Sequence, residues 1–318
     1  MDAETRKRRT LPLAVIGAVA CGVGVATQSR INGQLGAELG DGYVAAVISF
    51  GSGLVILAVA MLFVRSGRVG LGKVFAAIRN HDIPWFYAVG GAAGAFFVLS
   101  QGLASAPLGV ALFSIGVVCG QTVSGVVIDR IGLGHVEPRP LSAQRLAGAG
   151  LALAAVAVAA SSQFTGGSNA WLFLMPFIAG LAVAWQQGVN GQIRRVSGSV
   201  LTATFGNFVV GTTVLVIVAL IHVAIMGWPE SYPANPVLYL GGALGVLFIG
   251  VGAAVVGVTG VLLLTLGTIS GQLLMSLVLD LVVPAAGHEV QWTTFVGIAL
   301  ALAATVIVAT ARSGTSTR

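Results

Sequence analysis

Ten nearly uncharged apolar stretches follow one another along this chain, and that succession leaves few folds open. They fall at about 11–34, 43–64, 84–104, 107–128, 144–161, 169–192, 200–226, 236–257, 259–282 and 292–311. A run near 20 apolar residues matches the ~30 Å hydrocarbon layer of a bilayer. In that layer each unpaired peptide group costs several kcal/mol, so a spanning segment pairs its backbone within itself, as a helix does. The sequence therefore predicts an all-α membrane protein with ten transmembrane helices. Composition agrees: 56% of the residues are hydrophobic, 8% are charged, and mean hydropathy is +0.97, a balance that no water-soluble surface could carry.

Charge sets the orientation. Threading the helices from a cytoplasmic N-terminus puts fifteen of the sixteen lysines and arginines inside and leaves only Arg30 outside, as the positive-inside rule requires. Both termini are thus expected in the cytoplasm, with the basic Met1–Thr10 segment leading into a retained first helix. The net charge of +6 belongs to these short loops, which removes the nucleic-acid reading. Trp85, Trp171, Trp228 and Trp292 fall at or near predicted helix ends, where amphipathic rings settle; Trp185 does not. Cys21 and Cys119 lie within apolar runs and read as small packing residues, and no spacing of ligands predicts a metal or cofactor.

The chain is also duplicated. At an offset of 158, Gln186, Asn190, Gly191 and Gln192 fall on Gln28, Asn32, Gly33 and Gln34. Ala203, Phe208 and Gly211 fall on Ala45, Phe50 and Gly53, with Asn207 over Ser49. The offset then drops to 151, because the loop after the second helix is the longer one, and pairs Gly90, Gly91, Gly94, Gly109, Gly116, Gly120, Gln121 and Asp129 with Gly241, Gly242, Gly245, Gly260, Gly267, Gly271, Gln272 and Asp280. Five helices per unit, an odd number, make the second unit enter from the opposite side. The expected organisation is two inverted five-helix repeats, residues 1–162 and 163–318, which is the arrangement from which alternating access is built.

The "QSRINGQLG" and "QQGVNGQI" helix ends, followed by "AAVISFGSG" and "TATFGNFVVG", resemble the drug/metabolite transporter superfamily, and within it the YdcZ-like branch of bacterial inner-membrane exporters, here as two fused units. The resemblance implies a central cavity lined by helices one to four and six to nine, with five and ten peripheral. It also implies export.

Gln28 with Asn32, and Gln186 with Asn190, are each four residues apart and share a helix face. Amides cannot face lipid unpaired, so they either bridge helices or line a watery cavity, and inversion would set the two pairs on opposite sides of the centre. The expected cavity residues are Gln28, Asn32, Ser49, Trp185, Gln186, Asn190, Asn207, Gln121 and Gln272. Asp129, Asp280, His222 and Arg30 lie at helix ends and are expected to be solvated or snorkelling rather than proton-carrying. The expected function is a secondary transporter of a small organic solute, working in the inner membrane by alternating access. Uptake or uncoupled facilitated diffusion is the alternative. A receptor or scaffold would need larger loops than the longest here, about 20 residues, and an enzyme would need a buried acid or nucleophile pair. Fusion of the two units removes the need to dimerise.

Overall fold

The computed structural model describes residues 3–131, 142–161, 170–284 and 290–310. The side chains of 3–10, 129, 170, 171, 253, 254, 256, 257 and 259–263 fall outside that description, so the expectations for Asp129 and Trp171, and for residues 132–141 of the 129–143 loop, do too. Among the described residues there is no strand. The helices are α1 (Ala3–Leu39), α2 (Gly42–Phe63), α3 (Arg65–Arg79), α4 (Gly91–Ser100), α5 (Ala106–Leu108), α6 (Val110–Ile131), α7 (Ala143–Ser161), α8 (Ala170–Ser197), α9 (Val200–Met226), α10 (Gly241–Val282) and α11 (Trp292–Thr310). Nine described segments are long and apolar enough to span, and Gly241–Gly252 is a shorter apolar helix.

The duplication reappears in local chemistry. Gly40 (φ +65°) and Gly198 (φ +69°) hold left-handed conformations that other residues avoid. The next residue caps the following helix in each case: Asp41 accepts from Tyr43 N and Val44 N at 2.8 and 3.0 Å, and Ser199 accepts from Thr202 N at 3.3 Å. One glycine and one capping oxygen thus reverse the chain at equivalent points of both units.

The eighth and ninth expected spans form one helical run, α10. A straight helix would put Gly252 and Gln272 about 30 Å apart. Yet Gly252 lies against Cys21, while adjacent Gly22 lies against the backbone of Gln272. The run therefore doubles back between Gly252 and Gly267 and supplies two arms, in keeping with ten crossings. In the first half the equivalent break falls at Gly109 (φ +80°).

Asp280 stands at that break and corrects its sequence reading. It is 7% exposed and accepts hydrogen bonds from Val110 N and Ala111 N at 3.0 and 2.7 Å, capping α6 from another helix. A carboxylate at a helix start also meets the positive end of the helix dipole. Nothing in local sequence shows this, because cap and helix are 169–170 residues apart. Asp280→Ala is expected to cost about 1–2 kcal/mol, the usual loss for a helix cap, seen as earlier thermal melting. Unchanged melting would return Asp280 to the solvated class.

Small residues set the packing. A Cβ at Gly120 or Gly180 would overlap the carbonyls of Phe177 and Val117, locking α6 to α8; one at Gly271 or Gly22 would overlap those of Val19 and Thr268, locking α1 to the far arm of α10. Such close approach is what small residues permit between membrane helices. One core surrounds Phe113, Ile115, Val117 and Val118 of α6, with Ala152 and Ala155 of α7 and Ala301 and Ala304 of α11. The other surrounds Phe50, Phe208, Leu57 and Leu215.

Candidate functional site: two amide clusters about an aromatic pair

Phe50 of α2 and Phe208 of α9 stack with ring centroids 4.6 Å apart and planes 18° from parallel. Each ring rests on a glycine of the other's helix, Phe208 on Gly53 and Phe50 on Gly211. Equivalent residues of the two repeats therefore meet at the middle of the fold. Stacking of this kind adds about 0.5–1.5 kcal/mol beyond burial.

On one side of the pair, Gln28, Asn32 and Ser49 gather against the start of α10. A Cβ at Gly245 would come 2.8 Å from Gln28 Nε2, and one at Gly241 would come 2.7 Å from Ser49 Oγ and overlap Asn32 Oδ1. On the other side, Gln186, Asn190 and Asn207 gather against Gly90 and Gly94. A Cβ at Gly94 would come 2.7 Å from Gln186 Nε2 and 3.3 Å from Phe50 Cζ; one at Gly90 would come 3.5 and 3.7 Å from the Oδ1 atoms of Asn207 and Asn190. The two sets correspond residue for residue.

Their states differ. The first cluster is buried and largely bonded: Gln28 Nε2 donates to Gly241 O at 2.7 Å, Asn32 Nδ2 to Gln101 Oε1 at 2.7 Å, and Gln101 Nε2 to Ser29 Oγ at 2.9 Å. Ser29 in turn donates to Val25 O at 2.9 Å. Asn32, Ser29 and Gln101 have no exposed surface. Gln101 heads the π-turn Gln101–Ser105, which wedges between α1 and α2. A Cβ at Gly33 would come 2.9 Å from that of Ser105, one at Gly42 2.6 Å from Leu103 Cδ2, and one at Gly36 would overlap Gly102 O.

The second cluster is open. Gln186, Asn190, Asn207 and Trp185 are half-buried, and Gln187 and Gly191 are exposed. Among the described residues neither Gln186 nor Asn190 has a hydrogen-bond partner within the protein. Gly191, the counterpart of tightly packed Gly33, has open space within 4 Å of its Cβ position.

Of the other expected site residues, Gln121 is half-buried and Gln272 buried; both sit at the glycine-packed crossings of α6 with α8 and α1 with α10, six residues along from Gln186 and Gln28 by way of Gly180 and Gly22. Buried side-chain atoms without a partner among the described residues include Asn32 Oδ1, Ser49 Oγ and Gln272 Nε2. Sequence reading missed Gln101, Ser29 and the central position of the Phe50–Phe208 pair. The polar run Ser100, Gln101 and Ser105 inside an apolar span was the available signal, since polar side chains there need a partner. His222 lies 3.6 Å from Asp41 and stacks on Tyr43 at 4.3 Å, away from both clusters, and Glu38 accepts from Gln34 at 2.7 Å.

Apart from Arg30, which lies between Gln28 and Asn32 on α1, the segments around the two clusters are uncharged. No Asp, Glu, Lys or Arg occurs in 42–64, 84–105, 170–193 or 200–226. The surface can thus offer amide donors and acceptors, aromatic faces and small-residue backbone.

The family model described as "Putative inner membrane exporter, YdcZ" matches residues 13–158 and 171–307. Among curated proteins there is no match. Solved chains that match number eight. One, described only as a crystal structure of a protein, aligns at 19% identity with a TM-score of 0.53, over 94% of this chain and 96% of its own. At that identity the likeness speaks to the fold alone.

Proposed function

This chain belongs to the inner-membrane exporter family whose model both halves match, and on that premise we propose that it carries a small organic solute by alternating access between the two amide clusters. The family makes it a multi-pass inner-membrane transporter in general terms; solute, path and mechanism are our reading. The observation that supports the reading is the contrast between matched clusters: Gln28, Asn32 and Ser49 are buried, with Asn32 held by Gln101 and Gln28 by Gly241 O, while Gln186, Asn190 and Asn207 are half-buried.

Two halves related by inversion would exchange these states, the sealed cluster opening as the open one closes, with Phe50 and Phe208 between them. Solute entering the open cluster would meet Gln186, Asn190, Asn207 and Trp185. A burial site without formal charge suits a solute whose polar groups are satisfied by amides, since an unpaired charge in a low-dielectric site is costly. By the positive-inside rule we read the open cluster as facing the cytoplasm, the side from which an exporter loads.

Counterflow of a labelled solute into proteoliposomes tests the function, after a thermal-shift screen of metabolites finds one that stabilises the folded protein. Orientation has its own check. With Cys21 and Cys119 replaced, a cysteine at Ser66 should resist an impermeant thiol reagent in intact cells and one at Ser231 should react; the reverse pattern would turn the protein over. Ser168, a third outer position by sequence, lies outside the described residues.

A further inference from the structure

The segment between α2 and the third span was expected to be a loop, and it contains α3, whose sequence RSGRVGLGKVFAAIR carries Arg65, Arg68, Lys73 and Arg79 and no acid. It corresponds to the extra length that lowers the repeat offset from 158 to 151. We propose that α3 is a docking surface for anionic phospholipid headgroups at the membrane face it shares with the α8–α9 turn.

Its inner face is fixed to the protein. Gly67, Gly70 and Ala77 are buried. A Cβ at Gly67 would meet Met61 Sδ at 2.6 Å and Leu201 Cδ2 at 2.9 Å, and one at Gly70 would meet the Cβ atoms of Ser197 and Thr202 at 3.1 Å. Thr202 Oγ1 donates to Gly67 O at 2.8 Å, and Val74 and Ile78 join the cluster of Ala77, Ile83, Ile193 and Ala203. The helix is therefore anchored beside the last residues of α2, at the end of a spanning segment, where a headgroup layer lies.

Its outer face is unpartnered and of two kinds. Phe75 is 70% exposed, and Val69 and Leu71 are exposed as well. At 100° per residue Leu71, Phe75, Arg68 and Arg79 lie within about 80° of one another, so apolar side chains and cations share one flank. With its inner face held by the protein, such a flank suits the interface, because Phe75 can reach the acyl boundary while the long cationic side chains snorkel to the headgroups. Arg68 is partly committed, since its Nη1 donates to the carbonyls of Met61 and Leu62 that end α2. Arg65, Lys73 and Arg79 carry the charge complementarity: three uncommitted cations over fifteen residues, with no acid on the helix, select an anionic surface over a zwitterionic one. Each cation near such a surface is worth about five-fold in affinity.

Hydrogen exchange of the 65–79 segment in the whole protein tests this, in nanodiscs of phosphatidylcholine alone and of phosphatidylcholine mixed with phosphatidylglycerol. Exchange in α3 should slow several-fold in the anionic discs, revert in high salt, and lose that difference in Arg65→Gln/Lys73→Gln/Arg79→Gln, whose exchange elsewhere should stay unchanged. Phe75→Ser should weaken the protection while keeping its salt dependence. Equal exchange in both lipids, full protection in the triple variant, or the same protection from inorganic phosphate in phosphatidylcholine discs would overturn the proposal. None of these readouts needs transport, so the test stands apart from the functional reading.

Discussion

Leucine at both Gln186 and Asn190 is expected to cut solute counterflow about tenfold or more while leaving the melting temperature nearly unchanged. Both side chains are half-buried and neither has a protein partner among the described residues, so their removal orphans no donor or acceptor. Folding should change by less than about 0.5 kcal/mol, as for a substitution that breaks no internal bond. Flux should fall by a factor of ten or more, because each lost hydrogen bond to a bound solute is worth about 0.5–1.5 kcal/mol and two act together. The matched changes at Gln28 and Asn32 should behave differently, although the sequence alone predicts that the two pairs behave alike. Gln28 donates to Gly241 O and Asn32 to Gln101, so leucine there leaves buried partners unpaired, at about 1–3 kcal/mol each, and melting should drop. Proteoliposome flux and thermal melting on the same preparations decide it. Normal flux in the Gln186/Asn190 variant would remove the open cluster from the path.

Gln101→Leu is expected to shift the protein toward the opposite conformation. Gln101 accepts from Asn32 and donates to Ser29 in a site without exposed surface. Asn32 Oδ1 already lacks a partner, so losing Gln101 leaves the whole Asn32 amide unbonded and dry, a penalty of about 1–3 kcal/mol. In the opposite state the cluster would be wet and the penalty absent, which moves the conformational equilibrium by roughly 5- to 150-fold. Ser105, 1% exposed and packed against Gly33, reports the change. With Cys21 and Cys119 replaced, Ser105→Cys should react slowly with a thiol reagent in the parent and at least several-fold faster beside Gln101→Leu. Faster melting with unchanged reactivity at position 105 would make Gln101 a packing residue and not a latch.

On the proposed reading, duplication does not give two identical gates. Gln101 corresponds to Gly252, and Ser29 to Gln187. The open cluster has no amide at the position of Gln101, and its own extra amide, Gln187, stands on α8. In the proposed cycle the two closed states would therefore be held by different bonds, with energies set separately.

What the sequence determined by itself was everything that depends on spacing and on transfer free energy. The apolar runs dictated spanning helices, because backbone in hydrocarbon has to pair locally. The 158-residue offset placed Gln28 with Gln186, Asn32 with Asn190, and the glycine turns at Gly40 and Gly198 in equivalent positions, since a duplicated gene keeps its register. Tertiary structure alone decided which amide of each pair is bonded and which is open. The bonds of Asn32 to Gln101 and of Gln28 to Gly241 join residues 69 and 213 apart, and the cap from Asp280 to Val110 spans 170. No local pattern encodes such partners. Two halves that match at Gln28 and Gln186, and at Asn32 and Asn190, still differ in packing: Gly33, Gly36 and Gly42 lie against the 102–106 segment, while the Cβ position of Gly191, the counterpart of Gly33, has no neighbour within 4 Å.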